Sequence, residues 1–312
     1  MSAIKEIAEM HILSNCAARY YLFSILLLFL PPSGVVAEAD TPPLPETPDP
    51  KLQSRLALGL GQMGLSRAVD EERLSVALVD ITDSTRPHLA AVNSDLMMYS
   101  ASLPKIAILF GAYQRIEDGM LKHTKELKQD MTDMIRHSSN SAATRVLNLV
   151  GPEYLNRLLQ SARYRLYDVR HQGGLWVGKP YGKSPAYQRD PLHSISHGAT
   201  VWQVARFYYL LENGKLVSPR ASREMKSILA RPAIHHKFVG GLLATHPDAS
   251  IYRKSGTWRT YHSDSAIVER NGRRYIAVAL ANDARAGDWL RKLIVVMDDI
   301  IFTQNYASLT TD

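Results

Sequence analysis

The sequence predicts an α+β domain, an antiparallel sheet flanked by helices with a helical subdomain beside it. Three features carry that expectation. One β-branched apolar run, "LSVALVDI" at Leu74–Ile81, stands early in the chain. Helical periodicity occupies the middle, and strand-like runs with a last amphipathic helix close the sequence. A lone early strand and a group of late ones make one sheet only if the first strand joins the last ones.

Taken in order, Lys51–Arg67 reads as a helix weakened by its glycines, followed by the strand at Leu74–Ile81 and the polar turn "TDSTRP". From Ser102, apolar residues recur at Ile106, Leu109, Phe110 and Tyr113, and Gly119 can close the helix. Pro104 falls in its first turn, where a missing amide hydrogen costs nothing. Further helices are expected at Leu127–His137, Asn140–Leu149, Pro152–Gln160 and Val201–Glu212, and another from the cap residue Ser218 and Pro219. Ser250–Trp258 and Ser265–Arg270 are strand-like, and Asn271-Gly272 is a strong hairpin signal leading into "RYIAVALAND". Asp288–Phe302 supplies the terminal helix.

With 46% hydrophobic and 21% charged residues, the 312-residue chain is globular in composition and suits one large domain. Its N-terminus is different. The apolar run Tyr20–Leu30 is preceded by Lys5 and Arg19 and followed by "PPSGVVA", the order of an export signal. It is shorter than the roughly 20 apolar residues that span a bilayer. Residues 1–37 therefore read as a signal peptide ending at Ala37, with an uncleaved anchor as the other reading. Residues 38–50 are Pro-rich and acidic and read as an extended linker, residues 51–305 as the folded domain, and 306–312 as a tail.

The single cysteine, Cys16, precedes the apolar run and would leave with the signal, which excludes disulfides and thiol chemistry from the mature protein. A net charge of +7 and a pI of 9.4 fit an anionic substrate, an anionic envelope or nucleic acid. The basic residues are scattered and no nucleic-acid motif accompanies them, so no nucleic-acid partner is expected.

Chemistry is concentrated in three short motifs. Ser102 and Lys105 form Ser-x-x-Lys, a spacing worth little alone, since Ser2 and Lys5 repeat it inside the export segment. Ser138-Ser139-Asn140 is the one Ser-x-Asn, and Lys254-Ser255-Gly256 the one Lys-Ser/Thr-Gly. They fall at a helix N-terminus, a junction before a helix, and a late strand. Each residue has an ordinary alternative: Ser102 as a helix cap, Ser138 and Asn140 as turn formers, Lys254 as a surface charge. Three weak motifs in one order make a strong one.

On those residues the chain resembles the superfamily of class A β-lactamases and penicillin-binding proteins, whose marks are Ser-x-x-Lys, Ser-Asp-Asn and Lys-Thr-Gly. The resemblance runs from Leu74 to the terminal helix and is closest to class A in layout. Ser139 replaces the middle Asp, and Ser255 replaces Thr. The motif spacing implies a trimmed helical subdomain and a remodelled loop. The implied roles are Ser102 as nucleophile, Lys105 as proton acceptor, Ser138 as proton relay and Lys254 as its electrostatic tuner. Asn140 would hold the substrate amide; Lys254, Ser255 and Thr257 would meet a substrate carboxylate, with Gly256 completing the motif. The backbone amides of Ser102 and Thr257 would form the oxyanion hole.

One departure matters. Class A enzymes carry a loop glutamate that activates the deacylating water, yet no glutamate occurs between Glu153 and Glu212, where Asp168 and Asp190 are the only acids of the glycine-, proline- and aromatic-rich loop. The resemblance thus implies an exported, periplasmic or secreted serine hydrolase opening β-lactam rings through a Ser102 acyl-enzyme. Its alternatives are a D-Ala-D-Ala carboxypeptidase or esterase, and a β-lactam sensor acylated once and held. The partner is a small β-lactam or a D-Ala-D-Ala-like peptide, the membrane is met only through the signal, a monomer is expected, and no cofactor is required. A metal is not expected either: His193 and His197 are four apart, but no helix is predicted before Thr200.

Overall fold

The structure, a computed structural model, describes residues 42–303. The signal peptide and the tail expected from the sequence lie outside the described residues. Among the described residues no helix is long and apolar enough to cross a membrane.

Residues 42–49 are irregular but packed. Leu44 is buried in the core, Tyr209 donates to the Pro42 carbonyl at 2.9 Å, and Asp49 caps the first helix through Leu52 N at 2.8 Å. The helix expected over 51–67 is two helices, α1 (Pro50–Gln62) and α2 (Ser66–Asp70), because Gly64 turns the chain at φ +69°. Then come β1 (Leu74–Asp80), β2 (His88–Val92) and β3 (Met98–Tyr99). The helical subdomain is α3 (Lys105–Glu117), α4 (Lys125–Arg136), α5 (Asn140–Val150) and α6 (Pro152–Gln160). The loop that follows holds short strands, β4 (Tyr167–Asp168), β5 (Gly173–Gly174), β6 (Trp176–Val177) and β7 (His197–Ala199), and one 3-10 turn at Val169–His171. After α7 (Val201–Glu212), α8 (Pro219–Leu229) and α9 (Phe238–Thr245), the chain ends in β8 (Ser250–Trp258), β9 (Tyr261–Arg270), β10 (Arg273–Asn282) and α10 (Ala286–Phe302).

The main sheet is antiparallel in the order β2-β1-β10-β9-β8, so the first strand does join the last ones, in register Leu74 opposite Ala281. The β9–β10 turn bears out its signal: Asn271 and Gly272 both have positive φ, as a two-residue hairpin turn requires. Both faces of the sheet are covered, which is why β1 reads as a near-continuous apolar run. Its Ala77 and Val79 face the core shared with α3, α5 and α7, while Leu74, Val76 and Leu78 face α1, α9 and α10. This three-layer arrangement leaves β2 and β8 as edge strands, and β8 meets the entrance of α5 through Lys254 and Ser138.

Candidate active site

Each motif is delivered by a different element. Ser102 lies in a tight turn ahead of α3, closed by bonds from Leu103 N to Ser100 O at 3.0 Å and from Ile106 N to Leu103 O at 3.2 Å. The helix expected from Ser102 therefore begins at Lys105, and Pro104 is its cap rather than its first residue. Ala101, at φ +52°, holds the left-handed conformation that aims the turn. Ser102 lines a cavity of about 760 Å³, and its hydroxyl has no hydrogen-bond partner among the described residues.

Lys105 is fully buried beneath this turn. Its ammonium donates to Ser138 O at 2.6 Å and Asn140 Oδ1 at 2.8 Å, stands 3.5 Å from Ser138 Oγ, and sits 4.5 Å above the Tyr181 ring. Ser138 itself adopts φ +56°, an uncommon conformation for a residue with a side chain. Ser139 caps α5 through Ala142 N at 3.2 Å, which explains how the motif tolerates a serine in its middle position. From β8, Lys254 donates to Ser138 Oγ at 3.0 Å and to Ser255 O at 2.7 Å.

Gly256 makes this approach sterically feasible. A Cβ there would stand 2.3 Å from Ser100 O and 2.6 Å from Ser102 N, so only glycine lets the edge strand lie against the Ser102 backbone. Ser263 Oγ locks the contact by donating to Ser100 O at 2.9 Å. Thr257 and Trp258 emerge from β8 into the cleft, whereas Ser255 is buried under it.

Three lysines share this small region. Burial lowers the Lys105 ammonium to about 7. Lys254 is pushed well below the ordinary lysine value, by burial first and then by the charges of Lys105 and Arg253. Lys237, which motif reasoning missed, is lowered by burial to about 8. It donates to Gly256 O at 2.6 Å and Thr257 Oγ1 at 2.8 Å, bracing the third motif from behind. Nothing local in "HHK" marks it; only the tertiary fold brings it to β8.

The loop expected to line the cleft does so, through Lys179 to His197. Tyr181 donates to Ala101 O at 3.2 Å and stacks on His197, ring centroids 4.3 Å apart. Burial first, then Lys179 and Lys105, lowers the His197 imidazole to about 3, which keeps it neutral. The two acids considered for water activation are elsewhere. Asp168 is held by Arg165 and Arg170, and Asp190 accepts from Tyr167 Oη and from the backbone of Leu192, His193 and Ile195. Both brace the loop, and neither lines the cavity. His193 bonds to Gln172 O at 2.8 Å and His197 sits in β7, so the pair shares no helical face.

The fold and site define a serine-centred member of the β-lactamase and penicillin-binding class. The model of the Beta-lactamase enzyme family matches residues 126–295, more than half of the chain and including the second and third motifs. The chain belongs to that family. Among solved structures it is similar to PBP-A, at 18% identity and TM-score 0.62, over 85% of this chain and 100% of that one. A PBP-A variant in acyl-enzyme complex with penicillin G gives 19% identity and TM-score 0.62, over 84% and 100%. A β-lactamase from Xanthomonas campestris pv. campestris gives 19% and 0.61, over 80% and 97%. At such identities the likeness establishes the shared fold. No curated protein matches the sequence.

Proposed function

We propose that this protein is an exported serine hydrolase that opens β-lactam rings through an acyl-enzyme on Ser102. The observation that carries the reading is the meeting of Lys105 and Lys254 on the Ser138 hydroxyl, with Ser102 open to the cleft beside them. Neutral Lys105 takes the Ser102 proton as Oγ attacks the lactam carbonyl, and the backbone amides of Ser102 and Thr257 hold the oxyanion. As the ring C–N bond breaks, Ser138 passes a proton to the leaving nitrogen, its hydroxyl polarised by Lys254. Asn140 positions the substrate amide, and Thr257 receives the substrate carboxylate, with Lys254 supplying charge from behind and the buried Ser255 and Gly256 holding the strand in place. Water then cleaves the Ser102 ester. The protein acts as a monomer in the periplasm or outside the cell.

A second reading has its own support. Among the described residues no Asp or Glu lines the cleft, and Tyr181 covers His197 with its ring. Without a carboxylate to activate water, the ester is long-lived, as suits a D-Ala-D-Ala carboxypeptidase or esterase that penicillins inhibit, or a sensor. Following penicillin G consumption over many enzyme equivalents separates the readings. Sustained consumption lost in Ser102→Ala supports the β-lactamase, consumption of one equivalent supports the second reading, and none sinks both.

A further inference from the structure

Beyond the reacting groups, the cleft has two unlike walls. On the β8 side stand Tyr99, Trp258 and Tyr261; the Tyr99 ring meets the other two edge-on at 5.7 and 5.4 Å, and Trp258 remains 46% exposed. On the loop side stand Lys179, Lys183 and Arg189, and among the described residues no acid lines the cavity with them.

Those three cations converge on one wall of the cavity. Arg67, Arg73, Arg86, Arg145, Arg220 and Arg285 are each paired with a carboxylate. Among the described residues Lys179, Lys183 and Arg189 have no such partner. The bonds Lys179 and Arg189 do make are to loop carbonyls: Lys179 to Gly182 O at 3.0 Å and Ser184 O at 2.7 Å, Arg189 to Ser194 O at 2.9 Å. These bonds set the direction of the cations without neutralising them. Lys179 is near enough to the cleft floor to contribute to the low basicity of His197. A low-dielectric cleft lined by one sign of charge concentrates ligands of the other sign.

We infer that this wall is an anionic subsite, and that the preferred substrate is an acyl donor with a second carboxylate. Its first carboxylate lies at the third motif; the second sits on the acyl part, across the scissile bond, against Lys183 and Arg189, while apolar acyl groups rest on the aromatic wall. The inference rests on the acyl-enzyme reading above and names the substrate class of that site.

The test compares benzylpenicillin with its α-carboxy derivative, which adds one carboxylate on the acyl side. The second-order rate constant for Ser102 adduct formation is followed by intact mass. In low salt, the dianion should be preferred by roughly tenfold over its own rate in Lys183→Gln/Arg189→Gln, relative to benzylpenicillin in the same two proteins. That preference should shrink toward one at ~1 M salt, where screening acts within about 3 Å. A Lys128→Gln/Arg223→Gln control, with the same charge change outside the cleft, should keep it, and melting temperatures confirm that all variants are folded. An unchanged ratio in the cleft variant, or equal loss in the control, overturns the subsite alone. Failure of both penicillins to acylate Ser102 overturns the acyl-enzyme reading and the subsite with it.

Discussion

The Lys254 ammonium donates to the Ser138 hydroxyl across 3.0 Å, joining residues 116 positions apart. This bond ties an edge strand of the sheet to the entrance of α5, and Lys105 Nζ stands 3.5 Å from the same hydroxyl. Removing either partner should therefore slow acylation without unfolding the protein. Lys254→Ala and Ser138→Ala should each lower the acylation rate constant by about 10²- to 10⁴-fold. Because they act as a unit, the double variant should be little worse than the poorer single one. Additive losses would show that the two residues act independently.

The protonation of Lys105 sets the expected pH dependence. Its ordinary value of 10.5 is lowered by burial to about 7. Only the neutral amine accepts the Ser102 proton, so acylation should rise about tenfold per pH unit below 7 and level off above it. Lys105→Arg keeps the charge at all accessible pH values and should remove the inflection along with most of the rate. A rate independent of pH from 5 to 8 in the unaltered protein would contradict the role.

Gly256→Ala tests the close approach of β8. The added methyl would meet backbone atoms of Ser100 and Ser102 at 2.3 and 2.6 Å, which forces the strand and Ser102 apart. A displacement near 1 Å is enough to cost about 10²-fold in rate. Acylation should fall by at least that much, whereas a rate within twofold of the unaltered protein would show that the strand is not held against Ser102.

Beneath the third motif, Arg253 and Asp264 form a buried pair, with Arg253 Nε and Nη2 each donating at 2.7 Å. Asp264 also accepts from Phe238 N at 3.1 Å, fixing the start of α9 just after Lys237. Asp264→Ala strands the guanidinium in the interior and should cost about 3–5 kcal/mol. For a domain of this size that is a fall of roughly 10 °C in melting temperature. A change below about 2 °C would show that solvent reaches Arg253 readily.

Much of the frame was legible because its signals are local. Pro152–Gln160 and Val201–Glu212 have the bounds their caps and periodicity indicate, and the Asn271-Gly272 turn needs only two residues to specify it. Elements set by tertiary packing were not legible. The helix α9 has the sequence "FVGGLLAT", whose paired glycines weaken any local preference; Phe238, Val239 and Leu242 are held by burial with α10. The true start of α3 depends on Ala101 in a left-handed turn, which no residue-type rule anticipates.

The site divides along the same line. Ser102 and Lys105, Ser138 and Asn140, and Lys254 and Gly256 are close in sequence within each motif, so the pattern survives in one dimension. Tyr181 and Lys237 enter only through the folded chain. Asp168 and Asp190 illustrate the converse: their presence was legible, but arginines, a tyrosine and backbone amides had already claimed both carboxylates. Lys179, Lys183 and Arg189 looked like part of a scattered basic surface, and their convergence came only from the cavity they face.

The central claim is that Ser102 is the nucleophile. Its most direct measurement is peptide mapping by tandem mass spectrometry after exposure of the mature protein to penicillin G, with Ser102→Ala in parallel. The account predicts one penicilloyl group, on the peptide containing Ser102, and none in the variant. An adduct on Ser138 or on a lysine, or one that persists in Ser102→Ala, would contradict it.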